Sequence, residues 1–149
     1  MISLHEVQQD AVDTLSRHAA FTTAPAVPVL LDDALQDEAV EAALNGVGAC
    51  VLVSPVMNGT QTSTAGRLVV LRAEFVVQVL VNPTRNADTG GADRNMLELV
   101  EAVVTGLTAS DPGPGEQRYT VPANFLNLDA QPDGVISYHV QVLKPCTIQ

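Results

Sequence analysis

Basic residues are scarce in this sequence: seven Lys and Arg stand against 17 Asp and Glu, and Lys144 is the only lysine. The resulting charge of −10 argues against a sequence-reading nucleic-acid module, which needs a basic face to neutralise phosphates. Cysteine is also rare. Cys50 and Cys146 form no C-x-x-C pair, which argues against a zinc ribbon, a redox motif or a disulfide scaffold. No apolar run approaches the ~18 residues that a membrane span requires. The opening residues include His5, Glu6 and Asp10 and no early Lys or Arg, so they do not read as a secretion signal. A soluble, acidic, cytoplasmically made domain is therefore expected.

Catalytic signatures are missing as well. There is no H-E-x-x-H, no G-x-x-x-x-G-K and no G-x-S-x-G, and Gly46-Val47-Gly48 lacks the third glycine and helix opening that phosphate binding needs. His5, His18 and His139 have no metal-type spacing and read as structural or solvent histidines. Cys50 and Cys146 sit in apolar, strand-like surroundings, where a thiol is usually inert. Asp32 and Asp33 read as a helix cap, with Asp37, Glu38 and Glu41 on a solvated face. No enzyme, cofactor or metal is expected.

What is present is a 46% hydrophobic chain of 149 residues, enough for one domain with a real core. Leu4, Val7, Ala11, Leu15 and Ala19 recur at helical steps, with Ser3 and Glu6 as a capping box, and this helix should end near Thr22. Val27 to Leu31 reads as a short strand. A second helix follows, capped by Asp33, stopped at Asn45-Gly46, and buried through Leu35, Ala39, Ala42 and Ala43. Ala49 to Val56 reads as a strand, and the polar stretch Asn58 to Gly66 as a solvent loop or mobile tip.

Arg67 to Val81 carries the clearest pattern. One face is wholly apolar, from Val69 to Val81 in steps of two, and the other mixes Arg72, Glu74 and Gln78 with Leu68, Val70, Val76 and Leu80. Such a strand would span roughly 50 Å, so it bends or projects, and part of it is expected to project. Its edges must be covered either by neighbouring copies or within the domain. Arg72 and Glu74 could pair with a neighbouring strand or subunit, or form an ordinary exposed cross-strand pair. Asn82 to Asp93 reads as a long surface loop. Met96, Val100, Val103, Val104 and Leu107 mark a third helix, ended by Ser110 to Gly115. Tyr119 to Phe125 and Ile136 to Val142 read as a hairpin around Pro132-Asp133-Gly134. The expected fold is α+β: a mixed, mainly antiparallel sheet with about three helices on one face and a long projecting strand or hairpin.

This order of elements resembles the small tail-completion proteins of long-tailed bacteriophages, and among them the tail terminator family. The segments that carry the resemblance are V-P-V-L-L, D-D-A-L-Q, R-L-V-V-L-R-A-E-F-V-V-Q-V-L-V and L-E-L-V-E-A-V-V. It covers nearly the whole chain as order and texture rather than as an invariant motif. The resemblance implies a homohexameric ring at the head-proximal end of the tail tube. Such a ring stops tube polymerisation and contacts the tube protein on one side and a neck or connector protein on the other, while genome DNA passes through. On the strand reading, subunit contacts fall on Arg72, Glu74, Val76 and Gln78. The loops around Asn58, Thr60 and Gln61, and around Arg85, Asn86 and Asp88, would reach the tube or neck. The acidity would keep DNA from sticking to a channel, or would simply keep the protein soluble. A neck or head-completion protein shares these features. A cellular adaptor or ligand-binding domain would instead need a pocket with convergent polar groups.

Overall fold

The alternating segment from Leu68 to Val81 becomes the spine of the molecule. The computed structural model describes residues 1–33, 36–88, 90–130 and 134–148. A 3-10 turn at Leu4–Glu6 leads into α1 (Val7–Ser16) and the single turn α2 (Ala19–Thr22), then β1 (Val29–Leu31) and α3 (Asp37–Gly46). There follow β2 (Ala49–Val53), β3 (Asn58–Ala65), β4 (Leu68–Val81), α4 (Pro83–Ala87), α5 (Met96–Thr108), β5 (Leu126–Ala130) and β6 (Ile136–Ile148). The sheet order is β1-β2-β4-β6-β5, with β3 also on β4. Among the described strands only β1 and β2 pair in parallel, so the α+β class and the mainly antiparallel sheet are as expected.

The length of β4 is resolved inside the chain. β6 pairs with it from Val69–Ile148 to Val81–Ile136. Its other side is shared end to end: β2 lies opposite Val77 to Val81, and β3 opposite Leu68 to Glu74. Between them the chain bulges at Ser54 to Met57, where Pro55 has no amide hydrogen to give to a ladder. Ser54 Oγ accepts from the Val76 amide at 2.9 Å, and the Met57 amide donates to Glu74 O at 2.8 Å. Both sides of β4 are thus satisfied within the domain.

Period-two geometry sends Leu71, Ala73, Phe75, Val77, Val79 and Val81 to one face, where all are buried. Val7, Ala11, Val12 and Leu15 of α1, with Leu99, Val100, Ala102, Val103 and Leu107 of α5, complete that core. The small side chain of Ala11 lets α1 lie close. The third long helix, α3, connects β1 to β2 and contacts β2 and α4. Its buried Ala43 lies outside that core, as do Cys50 and Leu52, which alternation puts on the reverse face of β2.

Several expectations are corrected. The first helix does not run unbroken to Thr22: His18 is an extended N-cap whose Nδ1 accepts from the Ala20 amide at 3.1 Å, and it starts α2 anew. Asn58 to Gly66 is a strand and a turn rather than a loop. The β-branched Thr60, Thr62 and Thr64 suit a strand, but exposure on both faces leaves no apolar stripe to read. Asn82 to Asp93 contains α4, capped by Asn82 Oδ1 with Pro83 in the first turn. Tyr119 to Phe125 makes only a bridge at Thr120–Leu143, since Pro122 cannot continue a ladder, and the strand partner of β6 starts at Leu126. Ala42 is exposed rather than buried. Leu35, Pro132 and Asp133 lie outside the described residues.

The start of α5 rests on one side chain. Asn95 Oδ1 accepts from the Leu97 amide at 2.9 Å and from the Glu98 amide at 3.4 Å. Asn95→Ala is expected to cost about 1 kcal/mol, read as a lowered urea midpoint with an unchanged slope.

Candidate functional site

On the reverse face of β4, Val70, Arg72, Glu74, Val76, Gln78 and Leu80 stand in one row. Pairing with β3 brings Asn58 opposite Glu74 and Thr60 opposite Arg72. Two groups of expected site residues therefore form one surface. On the other flank β6 contributes His139, Gln141, Leu143 and Pro145 opposite Gln78, Val76, Glu74 and Arg72. Arg72 is exposed, and Glu74, Val76 and Gln78 are half-buried.

Polar neighbours on this face are unevenly matched. Gln78 Nε2 lies 3.0 Å from His139 Nε2, and Asp129 Oδ2 lies 3.7 Å from the same nitrogen. Arg72 and Glu74, in contrast, have no ion-pair partner among the described residues. The residues opposite them are Thr60 and Pro145, and Asn58 and Leu143, so no cross-strand ion pair forms here.

The remaining expected contacts go elsewhere. Gln61 lies opposite Leu71, on the other face of the sheet. Arg85, Asn86 and Asp88 sit at the far end of β4 and brace the fold. Arg85 Nε donates to Gly46 O, and its guanidinium lies 3.6 Å from Asp88 Oδ2. Asn86 clamps the backbone of Arg94 through both ends of its amide, at 2.9 and 3.1 Å. Gly48 makes room for this: at φ +83°, a Cβ there would lie 2.3 Å from Asn86 N.

A cleft of about 1280 Å³ opens between α1, the end of α5 and the 109–119 segment. Several of its polar groups pair with one another. The Tyr119 hydroxyl donates to the Asp10 carboxylate, and burial together with that acid pushes the phenol's pKa far up, so it stays a proton donor in this bond. Lys144 Nζ donates to Gln117 O at 2.6 Å, stands 4.5 Å from the centre of the Tyr119 ring, and lies 3.9 Å from Glu116 Oε2. The same Glu116 oxygen accepts from the Ile2 amide at 3.0 Å. This network ties the N-terminal segment to β6. Among the described residues no cluster of three His, Cys, Asp or Glu side chains could hold a metal ion.

No known protein-family model matches the chain, and no curated protein matches it. The functional reading therefore rests on the fold and on this surface.

Cys50 has no exposed surface, and burial pushes its thiol from 9.0 up to about 12. Above pH 9 an unfolded chain releases this proton while the folded one keeps it, so stability falls as pH rises from 9 toward 12. Cys50→Ala is expected to flatten part of that decline, measured as urea midpoints across the alkaline range. Tyr119, raised by burial and Asp10, supplies a further fall in the same direction above its ordinary value of 10.0.

Proposed function

We propose that this protein is a ring-forming structural component of a phage virion, a tail terminator that caps the head-proximal end of the tail tube and joins it to the neck. The observation that carries the reading is the reverse face of the long strands. The core helices α1 and α5 lie on the opposite side, leaving Arg72 and Glu74, which have no ion partner among the described residues, beside half-exposed Val70, Val76, Leu143 and Pro145. Charge without a partner beside apolar surface suits a contact between subunits, where an opposite charge can be supplied by the neighbour. The helix and strand order that resembles tail terminators supports the same reading. The mechanism is steric: a ring occupies the growing end of the tube and offers no further tube-like surface beyond itself.

Negative-stain electron microscopy of the concentrated protein, alone and mixed with tail tubes, tests the proposal. Rings, or caps on one end of tubes of fixed length, are expected. Dispersed monomers beside bare tubes would overturn it. Glu74→Lys reverses one charge on the proposed contact face and should leave the thermal unfolding midpoint nearly unchanged while sharply reducing assembly. Unaltered assembly by this variant would move the contact off the β4 surface.

A further inference from the structure

The sheet has free strand edges on both sides of the β4–β6 pair. Beyond β4, the outer edge of β3 pairs with nothing among the described residues, and beyond β6 the same holds for β5. The remaining edge, β1, is only three residues long. Natural edge strands are usually blunted by lysine, proline, inward charge, bulges or brevity. Apart from one bulge β3 has none of these: its eight residues contain no proline and no charge, and Asn58 to Thr64 are all exposed. A bulge at Thr62, whose Oγ1 donates to Val70 O at 3.2 Å, is its single irregularity.

β5 presents a matching edge. Leu126 and Leu128, on one face of the strand, are 39% and 59% exposed. Strand direction also fits. β3 runs antiparallel to β4, β4 to β6 and β6 to β5, so β3 and β5 of one chain point in opposite directions. A neighbouring copy turned by a modest angle thus offers its β5 antiparallel to β3, the slightly more stable form of pairing.

We propose that copies of this chain join head to tail by adding β5 of one to β3 of the next, so that the sheet continues from subunit to subunit. The inference rests on the ring-forming reading above and adds to the β4 face contact a second joint along the strand edges. The joint uses two different surfaces, so it is heterologous and closes into a ring when the rotation per copy divides a full turn. Backbone hydrogen bonds from β3 supply the pairing, and the joint covers Leu126 and Leu128. A second copy is the occupant because one chain carries both halves of the joint with the required polarity.

Chemical cross-linking tests the joint. Thr60 and Asn127 are exposed and lie on the same face of their strands. Thr60→Cys, Asn127→Cys and the double variant would each be treated with a short bismaleimide at rising protein concentration and separated on a denaturing gel. Cys50 and Cys146 are buried in every case. The double variant should give a ladder that stops at the ring size, with a cross-linked fraction several-fold above that of either single variant. An equimolar mixture of the two single variants should give a dimer band and no ladder. Dimers from Thr60→Cys alone would overturn the proposal in favour of two-fold β3–β3 pairing. Rings in the microscope without cross-links would overturn the joint and leave the ring standing. Absence of cross-links together with monomers beside bare tubes would overturn both.

Discussion

Replacing Phe75 with alanine is expected to destabilise the fold by about 3–5 kcal/mol, a large part of the roughly 5–15 kcal/mol that holds a domain together. Phe75 has no exposed surface and lies at the middle of β4. It falls where neither β2 nor β3 supplies a paired residue, since β2 ends opposite Val77 and β3 begins opposite Glu74. Its ring meets Tyr119 edge-on at 6.1 Å, and Val142 is its partner on β6. The unbroken ladder to β6 on one side and the packed core helices on the other keep the neighbours from collapsing into the space a phenyl ring leaves, which puts the cost toward the upper end. Guanidinium unfolding of the variant checks this, and Phe75→Leu, which keeps most of the volume, should lose less than half as much.

Lys144→Ala is the second large effect, at about 3 kcal/mol. The residue is 2% exposed. Truncation opens a cavity and leaves the Gln117 carbonyl without its donor, and it removes a cation from beside Glu116 and the Tyr119 ring. Replacing only the charge is a milder change. Lys144→Met refills the space but leaves the Gln117 carbonyl and Glu116 without their donor, so it should recover only the packing part of the loss. Urea midpoints of the two variants differ by packing alone, since both lack the cation, and the loss from the unaltered protein to Lys144→Met reads the charge.

Legibility in the sequence followed burial. β4 was readable because one of its faces is wholly covered, and period-two alternation survives wherever a core lies on one side only. The same rule could have carried β6 further. Lys144 and Cys146 continue the parity of Val140 and Val142 beyond the expected end of that strand, and a lysine in a core register is a signal of an internal partner. β3 was illegible because an edge strand exposed on both faces needs no apolar stripe. α4 was hidden by its single turn, and the break at His18 by an apolar stripe that runs across it.

The candidate surface was half visible. Spacing alone put Arg72, Glu74, Val76 and Gln78 on one face, and the structure keeps them there. The arrival of Asn58 and Thr60 beside them depends on two features of the β3–β4 hairpin that no property of residues 58 to 64 announces: the turn at Gly66-Arg67, which sets Ala65 opposite Leu68, and the bulge between Gln61 and Ser63, which shifts the pairing by one residue and so moves Thr60 and Asn58 onto this face. Arg85 and Asn86 look like free loop residues in the sequence. Their roles depend on Gly46, Gly48 and Arg94 being folded against them.

Burial of the single lysine has a practical consequence. Every exposed side-chain cation with a permanent charge is a guanidinium, and the folded surface offers no lysine ammonium to acylating reagents. Lys144 can be acylated only when the 116–119 segment lifts away from the end of β6. The rate at which an N-hydroxysuccinimide ester modifies Lys144 therefore clocks a local opening of the native protein, readable by mass spectrometry of the peptide that carries it, apart from the reactive α-amine of Met1.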